Sequence, residues 1–288
     1  MKNLKNILAL VAFIFAISTT TAQENEHSLL WKVEGNGIKT SYVFGTFHML
    51  PKEDFALKDK VKNAFTESEN IFLELDMDDP SLQQEMMQLS ILPDGGNLKN
   101  FMDESEYSLI DTYLLSNMGV GLDNLATFKP LMVSTMVMMG YMGKDVASYE
   151  ATLISLAKEQ QKEINGLETV ASQIAVFDIQ PYDEQMDEVV KLLKEEDAMK
   201  DMFNKMIELY KAENIEGLYD YMDEFYGDDP EQLHRMLDNR NQNWIPLIVE
   251  NSKKASTFYG VGAGHLGGEQ GVISLLKKEG FTVTPVIE

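Results

Sequence analysis

A chain of 288 residues, 44% hydrophobic and 25% charged, can bury the core of one large domain or two modest ones, so disorder is excluded as its default state. A formal net charge of −23 argues against nucleic acid or anionic lipid held by general electrostatics, and part of that charge serves solubility. The absence of cysteine excludes disulfides, thiolate metal sites and lipid attachment through a thiol, so any metal must be held by His, Asp, Glu, amide or water ligands.

In chain order, Lys2 and Lys5 precede an apolar run from Ile7 to Ile17 and a small polar stretch ending at Ala22. This is the layout of a signal peptide, too short in its apolar part to span a bilayer. The expectation is residues 1–22 as a leader, residues 23–288 as a single exported domain, periplasmic or extracellular, and no stable membrane span after cleavage.

Two β-rich runs flank Gly35-Asn36-Gly37 and predict a hairpin whose second strand runs into Gly45. Leu57 to Phe65 has helical spacing, and the apolar run from Asn70, stopped by Asp78, Asp79 and Pro80, reads as a buried strand. Residues from about 81 to 236 carry apolar positions at three and four spacing over 82–89, 104–115, 131–142, 147–160, 182–195 and 202–210, a helical insertion or cap. Five of the 18 methionines fall between Met132 and Met142, a pattern of adaptable core packing. Strands return at 255–261 and 282–286 around a helix at about 269–278. The fold class is α/β (α+β): a mixed sheet formed by the two ends of the chain, with a large helical middle region.

Two of the four histidines share a frame, Gly45-Thr46-Phe47-His48 and Gly262-Ala263-Gly264-His265, each following an apolar run. In open α/β sheets ligands bind beyond the carboxyl ends of strands, where both histidines should project. Glu74 and Asp76 lie two apart in "FLELDM", on one face of a strand, and carboxylates there are costly unless paired or bound to a cation. Two imidazoles and a carboxylate make a hydrolytic metal site, with Asp76 a further candidate ligand. A metal-free reading, with His as general base and Glu or Asp as its partner, stands beside it. No G-x-S-x-G elbow, phosphate loop or dinucleotide fingerprint is present. His27 and His234 read as solvated surface residues.

"YVFGTFHMLP", "IFLELD", "INGLETVASQIAVFD", "DNRNQNW" and "GVGAGHLGGEQGVISLLKKEGFTVTPV", in that order, resemble the TraB/GumN family, which is related to the TIKI metalloproteases. The resemblance covers nearly all of the chain after the leader. It implies that His48, Glu74 and His265 are the active-site residues, on a core like that of the erythromycin-esterase and ChaN group. It also implies a divalent metal ion (Mn, Co or Zn), and Glu168, Gln173, Arg240 and Asn241 as substrate-binding or supporting groups facing the cleft. Arg240 could hold a carboxylate through its planar fork or be paired with an acidic neighbour.

The resulting expectation is an exported metal-dependent hydrolase, a peptidase acting on a peptide or other small substrate and not on nucleic acid. The alternatives are a non-catalytic binding protein for a small peptide or haem-like ligand on the same fold, and a scaffold whose histidines only pack loops.

Overall fold

The computed structural model describes residues 27–143, 145–227 and 229–288. The leader expected over residues 1–22 lies outside them. Among the described residues eight strands follow in chain order: β1 (Leu30–Glu34), β2 (Ser41–Thr46), β3 (Leu50–Pro51), β4 (Asn70–Leu73), β5 (Val146–Ala147), β6 (Ile164–Gly166), β7 (Thr257–Gly262) and β8 (Thr282–Pro285). Six form one mixed sheet in the order β6-β4-β7-β2-β1-β8, and β3 pairs with β5 apart from it.

The hairpin forms as the sequence predicts. Gly35, Asn36 and Gly37 all take positive φ, a conformation glycine and asparagine accept at low cost, and Leu30 then faces Phe44 across the antiparallel pair. β2, β7, β4 and β6 run parallel, so their carboxyl ends share one edge of the sheet.

Between β3 and β6 lie α1 (Asp59–Glu67), α2 (Leu82–Leu89), α3 (Glu104–Met118), α4 (Pro130–Met142) and α5 (Tyr149–Gln160). After β6 come α6 (Val170–Phe177), α7 (Tyr182–Lys194), α8 (Glu196–Lys211), α9 (Ile215–Phe225), α10 (Pro230–Leu233), α11 (Asn239–Lys254) and, past β7, α12 (Val272–Lys278). One strand of the six-stranded sheet, β6, thus comes from the middle of the chain, where Asn165 and Gly166 hide it. Its extended state is imposed by pairing with Ile71 to Leu73.

Neighbouring residues of β7 show how the sheet is covered, because successive side chains alternate between faces. Phe258 stacks with Phe44 and with Phe65 of α1, and Phe44 meets Tyr149 of α5. Tyr259 packs on Phe72 on the other face and donates from its hydroxyl to the Ile248 carbonyl of α11. Both aromatics of β7 are fully buried, and each such side chain contributes roughly 1.5–3 kcal/mol.

A second core joins Ile110 and Leu114 of α3, Val133 and Val137 of α4, and Met186, Val189 and Val190 of α7. Met132 and Met136 pack against it, as adaptable fillers do. The helical middle is not wholly a separate cap, because Tyr210 of α8 and Leu218 of α9 belong to the sheet's own core.

Candidate active site

Each parallel strand delivers one polar residue just beyond its carboxyl end: His48 after β2, Glu74 after β4, Glu168 after β6 and His265 after β7. The backbone keeps these loops in line, since Glu168 N–H donates to the Glu74 carbonyl at 3.0 Å and Leu167 N–H to Leu73 at 2.9 Å. Thr46 is opposite Gly262, so the two glycine-histidine frames sit side by side.

Their glycines serve each other. A Cβ on Gly45 would stand 2.8 Å from Leu266 and 3.1 Å from Ala263, so the loop carrying His265 can close on β2 only because it is absent. A Cβ on Gly262 would have Glu74 Oε1 at 3.3 Å, His265 Cδ2 at 3.5 Å and His48 Nε2 at 3.9 Å. Three side chains from three loops therefore converge on the small space that Gly262 leaves.

His265 is buried against Trp244 of α11, with ring centroids 4.5 Å apart. Asn241 Nδ2 donates to the Gln270 carbonyl at 3.0 Å, which leaves its Oδ1 to accept from His265 Nδ1–H at 2.7 Å. This fixes the tautomer: Nε2 carries a lone pair. Burial pushes the His265 pKa down to about 3, so the ring is neutral at physiological pH.

Glu74 accepts from Gly262 N–H through Oε1 at 2.8 Å, and from Arg240 Nη2 at 2.6 Å and Gln173 Nε2 at 3.1 Å through Oε2. Gln173 also donates to Glu168 at 2.8 Å, bridging the two carboxylates. Burial would raise the Glu74 pKa, but the positive groups around it and the Gly262 amide hold it at about 2, Arg240 being the permanent charge among them. Arg240 pairs with both carboxylates, lies 5.0 Å over the Trp244 ring and donates to His265 Nε2 at 3.2 Å. As arranged it is an ion-pair partner of acidic neighbours, with no N–H left for a substrate carboxylate.

His48 stands at the rim, its side chain 67% exposed, with Nδ1 2.9 Å from Glu150 Oε1 and Nε2 toward Gly262. Glu150 is held in turn by Ser148, the N-cap of α5, at 2.9 Å. The hydrogen bond from His48 Nδ1 to Glu150, with the Glu150 charge, raises the His48 pKa to about 9. The two histidines of one sequence pattern are thus held in opposite protonation states.

Asp76 does not join them. β4 ends at Leu73, the chain bends, and Asp76 lines a shallow open depression with Asp78, Asp79 and Lys162. Partial burial and then the Asp78 carboxyl raise its pKa. The one-face expectation for Glu74 and Asp76 fails because it required the strand to run three residues further, through Asp76. His27 is exposed, and His234 is paired with buried Asp238 at 2.5 Å.

Glu150 and Trp244 escaped the sequence reading. An acidic residue in the first turn of a helix is the ordinary partner of its dipole, and that signal masks a contact with His48, 102 positions away. Trp244 sits two residues before Pro246, a helix breaker that hid α11.

Two imidazole rings and a carboxylate around one small space are in kind the donors that Zn, Co or Mn takes. As arranged, no group of three or more His, Asp or Glu among the described residues is placed to hold an ion, and Arg240 occupies two of the candidate acceptor atoms, His265 Nε2 and Glu74 Oε2.

A stretch of 98 residues is 32% identical to the metalloprotease TIKI1 of Danio rerio, covering 33% of this chain and 19% of that protein. Metalloprotease TIKI2 of Danio rerio is 30% identical over 96 residues, covering 32% and 18%. A metalloprotease TIKI homolog of Nematostella vectensis is 29% identical over 97, covering 33% and 20%. The matched stretch spans about a fifth of the length of these curated relatives. No solved structure matches the chain. The family profile extends much further, over residues 29–285, and by that match the chain belongs to the TraB/PrgY/gumN family.

Proposed function

We propose that the protein is an exported, metal-dependent hydrolase acting on peptide bonds, with its divalent ion held by His48, Glu74 and His265. The observation that carries this reading is the approach of Glu74 Oε1, His48 Nε2 and the His265 ring to one point at Gly262, on the strand edge where α/β sheets bind ligands. The TIKI relatives are metalloproteases, which favours proteolysis here. Export rests on the leader-like first 22 residues, and no helix among the described residues is long and apolar enough to cross a membrane.

A divalent ion bound there would polarise a carbonyl oxygen and acidify a water. The chain's own residues prepare its place. Asn241 keeps the His265 lone pair on Nε2, and Trp244 covers that ring from water. Glu150 holds His48 by Nδ1, so that Nε2 faces inward, and must see His48 give up its Nε2 proton before that nitrogen can ligate. Gln173 fixes Glu74 and Glu168 relative to each other. The exposed rim at His48 is the side from which a peptide would approach.

The test is cleavage of a mixed peptide library, read by mass spectrometry, after chelation and after return of Mn2+, Co2+ or Zn2+. Cleavage should require both the ion and Glu74. Cleavage that survives chelator and Glu74→Ala sinks the proposal. A second reading, a binding protein without turnover, is favoured by the complete pairing of Arg240, which satisfies the site with no ion. That reading predicts peptide capture and no cleaved product under any of these conditions.

A further inference from the structure

A guanidinium has five N–H bonds, and the fold uses all five of Arg240's. Nε–H faces both oxygens of Glu168 at 3.1 and 3.2 Å. Nη1 donates to the Met236 carbonyl at 3.0 Å and to His265 Nε2 at 3.2 Å. Nη2 donates to Glu74 Oε2 at 2.6 Å and to Glu168 Oε1. Two of these acceptors, His265 Nε2 and Glu74 Oε2, belong to the residues proposed to hold the ion. A lone pair taken up by an N–H cannot at the same time be given to a metal.

The remaining contacts are independent of those two. Glu168 and the Met236 carbonyl would keep Arg240 anchored if its inner bonds were released, and Glu168 is itself held by Gln173. The carboxylates explain why some cation must be present. Glu74 and Glu168 are 11% and 9% exposed at the side chain, and two buried like charges without a counter-ion would be strongly destabilising.

We propose that Arg240 is a resident counter-cation that exchanges with the divalent ion: it neutralises the site when the ion is absent, and it yields His265 Nε2 and Glu74 Oε2 when the ion binds. This rests on the metal reading of the site. The exchange has a second consequence. The two N–H bonds that Arg240 releases become free beside the ion, available to a carbonyl or carboxylate oxygen of the substrate, so ion loading and substrate recognition are coupled through one side chain. It also selects the ion. Displacing a guanidinium from an imidazole requires a metal with real affinity for nitrogen, such as Zn2+ or Co2+, and disfavours Mg2+, which prefers oxygen and sheds water reluctantly.

The experiment is a Zn2+ titration of chelator-treated wild type, Arg240→Gln, Arg240→Lys and His265→Ala, with thermal unfolding followed with and without the ion. Arg240→Gln should bind Zn2+ on the order of tenfold more tightly than wild type. Its ion-free unfolding midpoint should fall and the rise on adding Zn2+ should grow. Arg240→Lys, a point charge that cannot reach all the acceptors together, should lie between the two. His265→Ala should lose binding. Equal or weaker Zn2+ affinity in Arg240→Gln, with wild type still binding, overturns the exchange and leaves the metal site standing. No binding by either overturns both. If Arg240→Gln does not fold, a crystal structure of Zn2+-loaded wild type decides: Nη1 should have left His265 Nε2, and a retained contact with the ion bound refutes exchange.

Discussion

Two buried ion clusters organise this molecule, and they are built in opposite senses. Around Glu213, one carboxylate takes the Lys58 ammonium at 2.5 Å, Lys60 at 2.6 Å and the Leu29 N–H at 3.0 Å. Lys60 continues to Ser28 and to the Val286 carbonyl, so the cluster ties the start of β1, the helix α1 and the last strand's exit to one point. Around Arg240, one cation faces two carboxylates and an imidazole lone pair. The first cluster has a surplus of donors, each assigned to a structural partner. The second has a surplus of acceptors gathered at a strand edge, which is the composition of a cation site. Burial alone therefore does not mark function; the sign of the surplus and the direction of the lone pairs do.

If that contrast is right, the largest effect on stability belongs to the cluster with no chemistry. Glu213→Ala strands Lys60, whose side chain is 5% exposed, and should cost about 3–5 kcal/mol in urea denaturation while leaving divalent-ion affinity unchanged. Loss of ion binding with stability intact would break the comparison. Asn241→Ala acts on the other cluster. It frees the His265 tautomer and should weaken ion affinity about 10–100-fold, read by competition with a coloured chelator. Unchanged affinity would mean that Asn241 only packs α11 against the loop.

Gly262→Ala sharpens the contrast further. Gly262 has φ −52, open to any residue, and the new methyl meets Glu74 Oε1 at 3.3 Å, so unfolding free energy should change by only about 1 kcal/mol. Ion affinity should nonetheless fall, on the order of tenfold, because the methyl stands where the donors converge. A fully retained affinity would place the ion elsewhere.

The smallest effects are those of pH, and the Glu213 cluster and the His48–Glu150 pair at the rim of the site predict opposite limbs. Burial opposes ionisation of Glu213, but Lys58 and Lys60 outweigh it and hold its pKa below the ordinary 4.5. Its contribution is present above that value and is lost as pH falls through the lower folded pKa. The His48 pKa is raised from 6.5 to about 9 by Glu150, so the pair's contribution is complete below 6.5 and is lost as pH rises through about 9. An NMR titration of His48 should find the high value in wild type and a return toward 6.5 in Glu150→Gln. A high value retained in that variant would remove Glu150 as its cause.

Much of this was legible in the sequence because periodicity and turn chemistry are local. Gly35-Asn36-Gly37 specified its hairpin, and the helices at 82–89, 130–142 and 182–194 follow their apolar spacing. What could not be read is what pairing imposes. β6 is three residues long and becomes a strand only against Ile71 to Leu73. α11 runs through Pro246 because that residue and the Gln242 carbonyl it leaves unbonded lie on an exposed stretch. The shared frame of His48 and His265 pointed to one place, yet their opposite environments depend on Glu150 and Asn241, which the frame does not contain. The family resemblance pointed to Arg240 as a group facing the cleft. That all five of its N–H bonds are engaged is a property of the fold.

The central claim is that His48, Glu74 and His265 together hold one divalent ion. Metal content after reconstitution, measured by mass spectrometry on wild type and on His48→Ala, Glu74→Ala and His265→Ala, tests it most directly. The account predicts a single tightly held ion in wild type and its loss in each variant. Wild-type content in any of the three, or no ion retained by the wild type itself, would contradict it.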